Sequence, residues 1–277
     1  MIEGSINRRP RILLGITGSV AAVKGPKLAL RLANEVNADV RVVLTRTVEH
    51  YFWKEGRAVS SYDAESWRDF SASTSTTTQI EVDSDDGDSS GSSKGRIFIH
   101  YAEEEWANYK NLQDTVLHID LRNWADVCLI APLSAHTLGK IANGLCDDLL
   151  TCCLRAWDFG QRFPTNGTIN NNSRGKPVIL APAMNTAMWH HPLTDMQLKA
   201  IQKFADYGAD GDNGGNAETG VIVIEPAVKT LACGEIGVGA LADLDDIICE
   251  VKKCLMQIGR VDNLQATNYD VRHLEHD

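Results

Sequence analysis

The sequence predicts an α/β fold of three layers, with helices on both faces of a doubly wound parallel sheet. Three observations carry that expectation. Short, nearly continuous apolar runs recur along the chain, as at 125–131 (ADVCLIA) and 176–181 (KPVILA), and such runs suit strands covered on both faces. Helical patterns alternate with these runs, as in a parallel sheet. Several runs end in Ser, Thr, Asn or Gly, and one ligand crevice beyond the carboxyl ends of the strands accounts for all of them.

Residues 11–14 (RILL) form the first expected strand. They lead into Gly15-Ile16-Thr17-Gly18-Ser19-Val20, where the glycines permit a tight turn and a close backbone approach. Ser19 is placed to cap a helix running to about Asn34, or to touch a phosphate. The turn is neither G-x-G-x-x-G nor a Walker loop. Taken alone, it fits an unliganded strand–helix turn equally well. Residues 38–45 form a second strand, with Thr45-Arg46-Thr47 at its end, and Tyr51-Phe52-Trp53 are read as packing aromatics. From about 71 to 95 the chain is Ser/Thr/Asp/Gly-rich and almost without apolar residues. Such a segment does not offset its ordering entropy, so an inserted mobile loop is expected, with a solvated acidic run at 83–88. Residues 96–100 return to strand character, with His100 structural or exposed. Glu103-Glu104-Glu105-Trp106 is expected to be a surface helix or loop.

The rest of the chain is organised around residues 117–150. Here a histidine followed by an acid, His118-Ile119-Asp120, precedes the strand at 125–131. Pro132 is expected to end that strand, and Ser134-Ala135-His136-Thr137 to turn into a helix whose backbone N–H groups favour anions. Asp147 and Asp148 open a further helix. A polar insertion covers 159–175, and another buried strand at 176–181 ends in Pro182-Ala183-Met184-Asn185. A helix resumes near 193–204. After a Gly/Asn/Asp-rich loop at 206–220, a strand at 221–225 leads to the Gly-rich stretch 230–240, read as a flexible flap holding Cys233. Asp243 is expected to cap an amphipathic helix through Ile258, followed by a polar tail.

An apolar share of 43% fills a substantial core, and a net charge of −10 argues against a general nucleic-acid binder. No apolar run approaches the roughly 18 residues of a membrane span, and no signal-peptide pattern opens the chain. A soluble cytoplasmic protein with no membrane partner is expected. The seven cysteines include no C-x-x-C pair, so buried reduced thiols are expected rather than a disulfide framework or a zinc site.

Four motifs occur in order: GITGSVAA, VLHIDLRNWADVCLIAPLSAHTLGKIANGLCDDLL, PAMNTAMWHHP and LACGEIGVGAL. Together they resemble the phosphopantothenoylcysteine decarboxylases, within the homo-oligomeric flavin-containing cysteine decarboxylase family. The resemblance covers nearly the whole chain outside the two polar insertions and the tail. It implies one flavodoxin-like (Rossmann-like) flavoprotein domain over 1–277, a homotrimer, and FMN at the subunit boundary. It also implies decarboxylation of 4'-phosphopantothenoylcysteine to 4'-phosphopantetheine in coenzyme A synthesis. Oxidation of the thiol carbon by the flavin gives a thioaldehyde, which accepts the electrons of the departing carboxylate as an enethiolate. By resemblance, His118 is the base, Asn185 holds the substrate carboxylate and Cys233 protonates the enethiolate. Met188 and Ala232 fall at substrate positions. Gly18, Ser19, Val20, Thr45, Thr47, Ser134, Ala135, His136, Thr137 and Ala183 fall on FMN-binding positions. The chain departs from the family pattern at His136 and Asp148, where relatives usually carry Asn.

Two further readings follow from the same resemblance. Some relatives serve as inhibitory subunits of a Ser/Thr protein phosphatase. The presence of His118, Asn185 and Cys233 in one chain favours a complete enzyme, and the acidic insertion leaves phosphatase binding as a second role. Peptidyl-cysteine decarboxylases and flavin prenyltransferases belong to the same superfamily, and the flap cysteine with Pro-Ala-Met-Asn argues against the prenyltransferase.

Overall fold

A computed structural model describes residues 8–75, 94–106, 109–112, 114–160, 164–165, 168–169, 175–204, 220–230 and 236–261. β1 (Arg11–Ile16) is followed by a 3-10 turn (Val20–Lys24), α1 (Gly25–Glu35) and β2 (Asp39–Leu44). One π-helical turn (Val48–Phe52), α2 (Ala58–Tyr62), α3 (Ala64–Ser73), the short β3 (Thr74–Ser75) and β4 (Ile97–His100) come next. A 3-10 turn (Glu104–Trp106) leads to α4 (Leu117–Trp124), β5 (Val127–Leu133), α5 (Ala135–Ala142) and α6 (Leu149–Arg155). β6 (Pro164–Thr165) and β7 (Thr168–Ile169) form a small antiparallel pair. β8 (Val178–Pro182), α7 (Thr186–Trp189), α8 (Pro192–Gln202) and β9 (Val221–Val223) follow. The hairpin β10 (Ala227–Thr230) and β11 (Ile236–Ala240) and the helix α9 (Leu244–Gln257) complete the described chain.

Seven strands form one sheet in the order β3-β4-β2-β1-β5-β8-β9, and every pairing in it is parallel. Alternate side chains of the central strands enter two separate cores. Ile12, Leu14, Val127 and Leu129 pack beneath α1 and α9, while Leu13, Cys128 and Ile130 pack beneath α5, α6 and α8. Both faces are therefore dry, which is why these strands are apolar without alternation. The expected three-layer α/β architecture is the one observed.

Several local expectations are corrected. Pro132 does not end its strand: β5 runs on to Leu133. The pairing of β5 with β8 shifts between Ile130 and Leu133, so the missing proline N–H breaks no regular ladder. Residues 71–75 are not loop, since α3 runs to Ser73 and Thr74 and Ser75 pair with Ile97 and Phe98. The remainder of that insertion, 76–93, lies outside the described residues. Residues 117–124, in which no helix was expected, form α4. The 230–240 stretch is framed by the β10–β11 hairpin rather than being loop throughout. Asp243 holds the N-cap position of α9, but its side chain makes no capping bond and pairs with Lys229 instead. Of the three aromatics at 51–53, Trp53 packs at 5.1 Å from Phe70 and donates to Ala22 O at 2.7 Å, whereas Tyr51 is 66% exposed. Cys128, Cys153 and Cys254 are buried thiols, while Cys146 and Cys249 are exposed. Among the described residues no helix is long and apolar enough to cross a membrane, and no side-chain group fits a metal.

Candidate active site

The strand order reverses at β1. The chain steps outward from β1 to β2 and returns on the other side as β5, so a crevice opens beyond the carboxyl ends of β1 and β5. Thr17 stitches its walls together. The buried Thr17 hydroxyl donates to Pro132 O at 2.8 Å and accepts from Ser134 N at 2.7 Å. The next strand on each side is held in line, by Thr45 N donating to Ile16 O at 3.1 Å and Ala183 N to Leu133 O at 2.9 Å. Two helical turns start at this edge. Ser19 Oγ accepts from Ala21 N at 3.4 Å, and Ser134 Oγ from Thr137 N at 3.3 Å. The structure thus gathers Gly18, Ser19, Val20, Thr45, Thr47, Ser134, Ala135, His136, Thr137 and Ala183 at four neighbouring strand ends. Gly18 is needed for close approach, because a Cβ there would come 2.9 Å from Thr47 Cγ2.

These residues suit a phosphorylated flat ring system. The Thr45 hydroxyl is buried and has no partner among the described residues, which leaves it for a bound group. The N-terminus of α5 and the serine-capped turn after β1 offer N–H groups to an anion. Val20, 55% exposed beside them, offers apolar surface. His136 and Asp148, where the sequence departs from the family pattern, keep the local structure intact. Asp148 caps α6 through a reciprocal capping box with Thr151 and lies 3.4 Å from Lys140, a capping role that Asn fills equally well. His136 is exposed. The Lys140 hydrogen bond, with a smaller contribution from the His136 charge, holds the neighbouring Asp147 carboxyl below its ordinary value.

His118 lies in the first turn of α4, and sequence reasoning missed its partner. His118 Nδ1 is 2.5 Å from Glu105 Oε1, and the Glu105 side chain is only 6% exposed. Nothing singles out Glu105 from its acidic neighbours in the sequence, and the observed burial inverts the expected surface segment: Trp106 is 62% exposed while Glu105 is buried. Glu104 serves a second histidine. His100 Nδ1 is 3.1 Å from Glu104 Oε2, and Arg41 Nη1 is 3.2 Å from His100 Nε2. Arginine only donates, so His100 accepts at Nε2 and donates from Nδ1 to Glu104. His100 is therefore structural and, at 1% exposure, buried.

Asn185 is the N-cap of α7, where its Oδ1 accepts from Met188 N at 2.8 Å. That bond uses the carbonyl end of the amide and leaves the NH₂ end of this exposed residue to donate. Met188 is 50% exposed, whereas Trp189 packs against the α5–α8 core. The β10–β11 hairpin docks on the same turn. Met184 N donates to Gly239 O at 2.9 Å, and a Cβ on Gly237 would clash with Thr186 Oγ1. The hairpin connection, 231–235, lies outside the described residues and contains Ala232 and Cys233. No described contact joins His118 to Asn185.

A family model described as Flavoprotein matches residues 2–256. The chain is 35% identical over 258 residues to a Mus musculus protein named phosphopantothenoylcysteine decarboxylase, covering 93% of each chain. It is 36% identical over 236 residues to the Arabidopsis thaliana protein of that name, covering 85% of this chain and 80% of the relative. Among solved structures it resembles a PPC decarboxylase mutant complexed with pantothenoylaminoethenethiol, with TM-score 0.61 and 33% identity over 89% of this chain and 98% of the other. It likewise resembles the FMN binding protein AtHal3, with TM-score 0.59 and 33% identity over 90% and 98% of the two chains.

Proposed function

The chain belongs to the flavoprotein family and, within it, to the phosphopantothenoylcysteine decarboxylases, and on that premise we propose that it converts 4'-phosphopantothenoylcysteine to 4'-phosphopantetheine with FMN, as a step of coenzyme A synthesis. The observation that carries this reading is the convergence of four strand ends, with their serines, threonines and unpartnered Thr45 hydroxyl, on one crevice rimmed by Asn185 and the flap hairpin.

The Ser and Thr residues at the four strand ends would hold FMN, which would supply the two-electron oxidation without which loss of the carboxylate would leave an unstabilised carbanion. The protein's residues position the substrate and move its protons. His118 takes the thiol proton as the carbon is oxidised. Asn185, its carbonyl engaged as a cap, turns its NH₂ toward the substrate carboxylate and orients it without a full charge that would hold it back. Met188, 50% exposed beside Asn185, is offered to the substrate chain as well, a role also assigned to Ala232. After carbon dioxide leaves, Cys233 returns a proton to the enethiolate.

A homotrimer, in which a second protomer completes the site, is part of this reading. The protein is one flavoprotein domain over 1–277, with polar insertions and a polar tail, and works in the cytoplasm. Phosphatase binding remains a second role; the acidic run 83–88 that it would use lies outside the described residues. An inhibition assay against a Ser/Thr phosphatase that shows no effect removes it.

The test is incubation of FMN-loaded protein with 4'-phosphopantothenoylcysteine, following carbon dioxide and 4'-phosphopantetheine. Wild type yields both. His118→Asn loses about 10²- to 10⁴-fold in rate, the range for removal of a positioned base, while keeping its flavin. No product from flavin-loaded wild type would overturn the reading.

A further inference from the structure

We propose that Glu105 is a positioning residue for His118, fixing the ring tautomer and the direction in which it accepts a proton; the inference rests on the decarboxylase reading for the reaction it serves. The 2.5 Å separation places the carboxylate at hydrogen-bond distance from Nδ1. A carboxylate accepts only, so Nδ1 carries the hydrogen and Nε2 keeps its lone pair. No described residue bonds Nε2. It is the atom left to face a substrate.

The geometry is built rather than incidental. Glu105 is 7% exposed, and its second oxygen, Oε2, is buried with no partner among the described residues. A buried carboxylate with one oxygen unsatisfied is costly unless the other oxygen makes a strong charge-assisted bond. The turn that carries it is pinned at three points. Glu104 bonds His100, which Arg41 holds from β2. Glu104 N donates to Tyr101 O at 3.2 Å, and Leu149 N at the start of α6 donates to Ala102 O at 3.2 Å. With the turn held in this way, Glu105 meets the first turn of α4 at His118.

The proton step follows. As the thiol carbon is oxidised, a change for which bound FMN would be the two-electron acceptor, the S–H bond breaks and its electron pair stays with sulfur. A new N–H bond forms at Nε2. Nδ1–H stays on the ring, and the unprotonated Glu105 carboxylate pairs with the imidazolium that results.

The test uses FMN-loaded protein labelled with ¹⁵N-histidine. In wild type, His118 gives the signature of a protonated Nδ1, with a low-field proton from the short bond, and an unprotonated Nε2. Glu105→Gln keeps the acceptor and the tautomer but loses the charge, and kcat falls about 10-fold. Glu105→Ala loses the low-field proton, and kcat falls about 10²-fold; in both variants KM and flavin content stay near wild type. The glutamine variant, nearly isosteric with glutamate, guards against misfolding of the alanine one. An unprotonated Nδ1 in wild type, or kcat within two-fold of wild type in both variants, overturns the proposal. The signature without turnover in wild type supports the histidine–carboxylate pair and counts against the decarboxylase reading alone.

Discussion

At the scale of single residues, the amide of Asn185 is engaged at one end: its Oδ1 caps α7, and the proposed function gives its NH₂ end the substrate carboxylate. Asn185→Asp separates the two roles. Aspartate caps a helix as well as asparagine does, so the thermal midpoint should stay within a degree or two of wild type and FMN should be retained. The new charge faces the substrate's own carboxylate, so kcat/KM should fall at least about 10²-fold, as expected for a like charge in a binding site. Measuring both quantities on one preparation checks this, and a variant with normal turnover removes Asn185 from substrate binding. The motifs that hold His118 and Asn185 are recognisable in the sequence, and that is why both residues enter the proposed site. Glu105 was not legible there, because burial of one acid among several depends on a turn anchored by Arg41 and His100, from strands remote in the chain.

At the scale of elements, helix ends show how far local rules reach. Asp63 caps α3, accepting from Ser66 N at 3.0 Å and from the Ser66 hydroxyl at 2.8 Å. The backbone hydrogen bond from Ser66, then its side-chain bond, holds the Asp63 carboxyl below its ordinary value of 3.8. A carboxylate lowered in the folded state stabilises above its unfolded value, and that contribution disappears as pH falls through the folded value. Asp63→Ala should therefore cost about 1 kcal/mol at pH 7 and progressively less below pH 3.8. Urea titrations at pH 7 and pH 3 check it; an undiminished difference at the lower pH would show that the cap is not the cause. The other end of α4 uses a distant residue. Lys176 Nζ donates to Arg122 O, Asn123 O and Ala125 O at 2.8, 3.0 and 2.8 Å. Lys176→Met removes the ammonium that lies 5.9 Å from the Trp157 ring centroid and frees three carbonyls, and should cost about 2–3 kcal/mol by urea denaturation, the scale of hydrogen bonds to a charged group. The helix itself was missed in the sequence because its eight residues hold few apolar positions, Leu117, Leu121 and Trp124 among them, too short a run to establish a 3.6-residue period. The central strands were legible because burial on both faces makes β5 and most of β1 apolar without alternation. Pro132 misled because its effect depends on the pairing shift beside β8, which only the sheet reveals.

At the scale of the whole molecule, one carboxylate ties the two ends of the described chain to the sheet. Asp126 is 7% exposed and lies just before β5. It accepts from both terminal nitrogens of Arg8, at 2.7 and 2.9 Å, from Arg11 N at 2.9 Å, and is 3.0 Å from Arg260 Nε just beyond α9. The fold's first strand, its central strand and its last helix thus converge on a single acid at the edge opposite the crevice. Removing one partner of a fully buried ion pair costs about 3–5 kcal/mol. Here the two arginine side chains are 27% and 24% exposed, so both guanidiniums can turn to water when the acid is lost, while Arg11 N loses its acceptor. Asp126→Ala should therefore cost less than a fully buried case, about 2 kcal/mol, measured as a lowered urea midpoint with unchanged slope. Because Arg8 gives both terminal nitrogens to this acceptor, Arg8→Ala in the Asp126→Ala background should cost far less than in wild type. The crevice lies at the other end of the strands, so flavin content and turnover at 25 °C should be retained. Loss of flavin from a folded variant would show instead that the clasp and the active-site edge are coupled through β5, the strand they share.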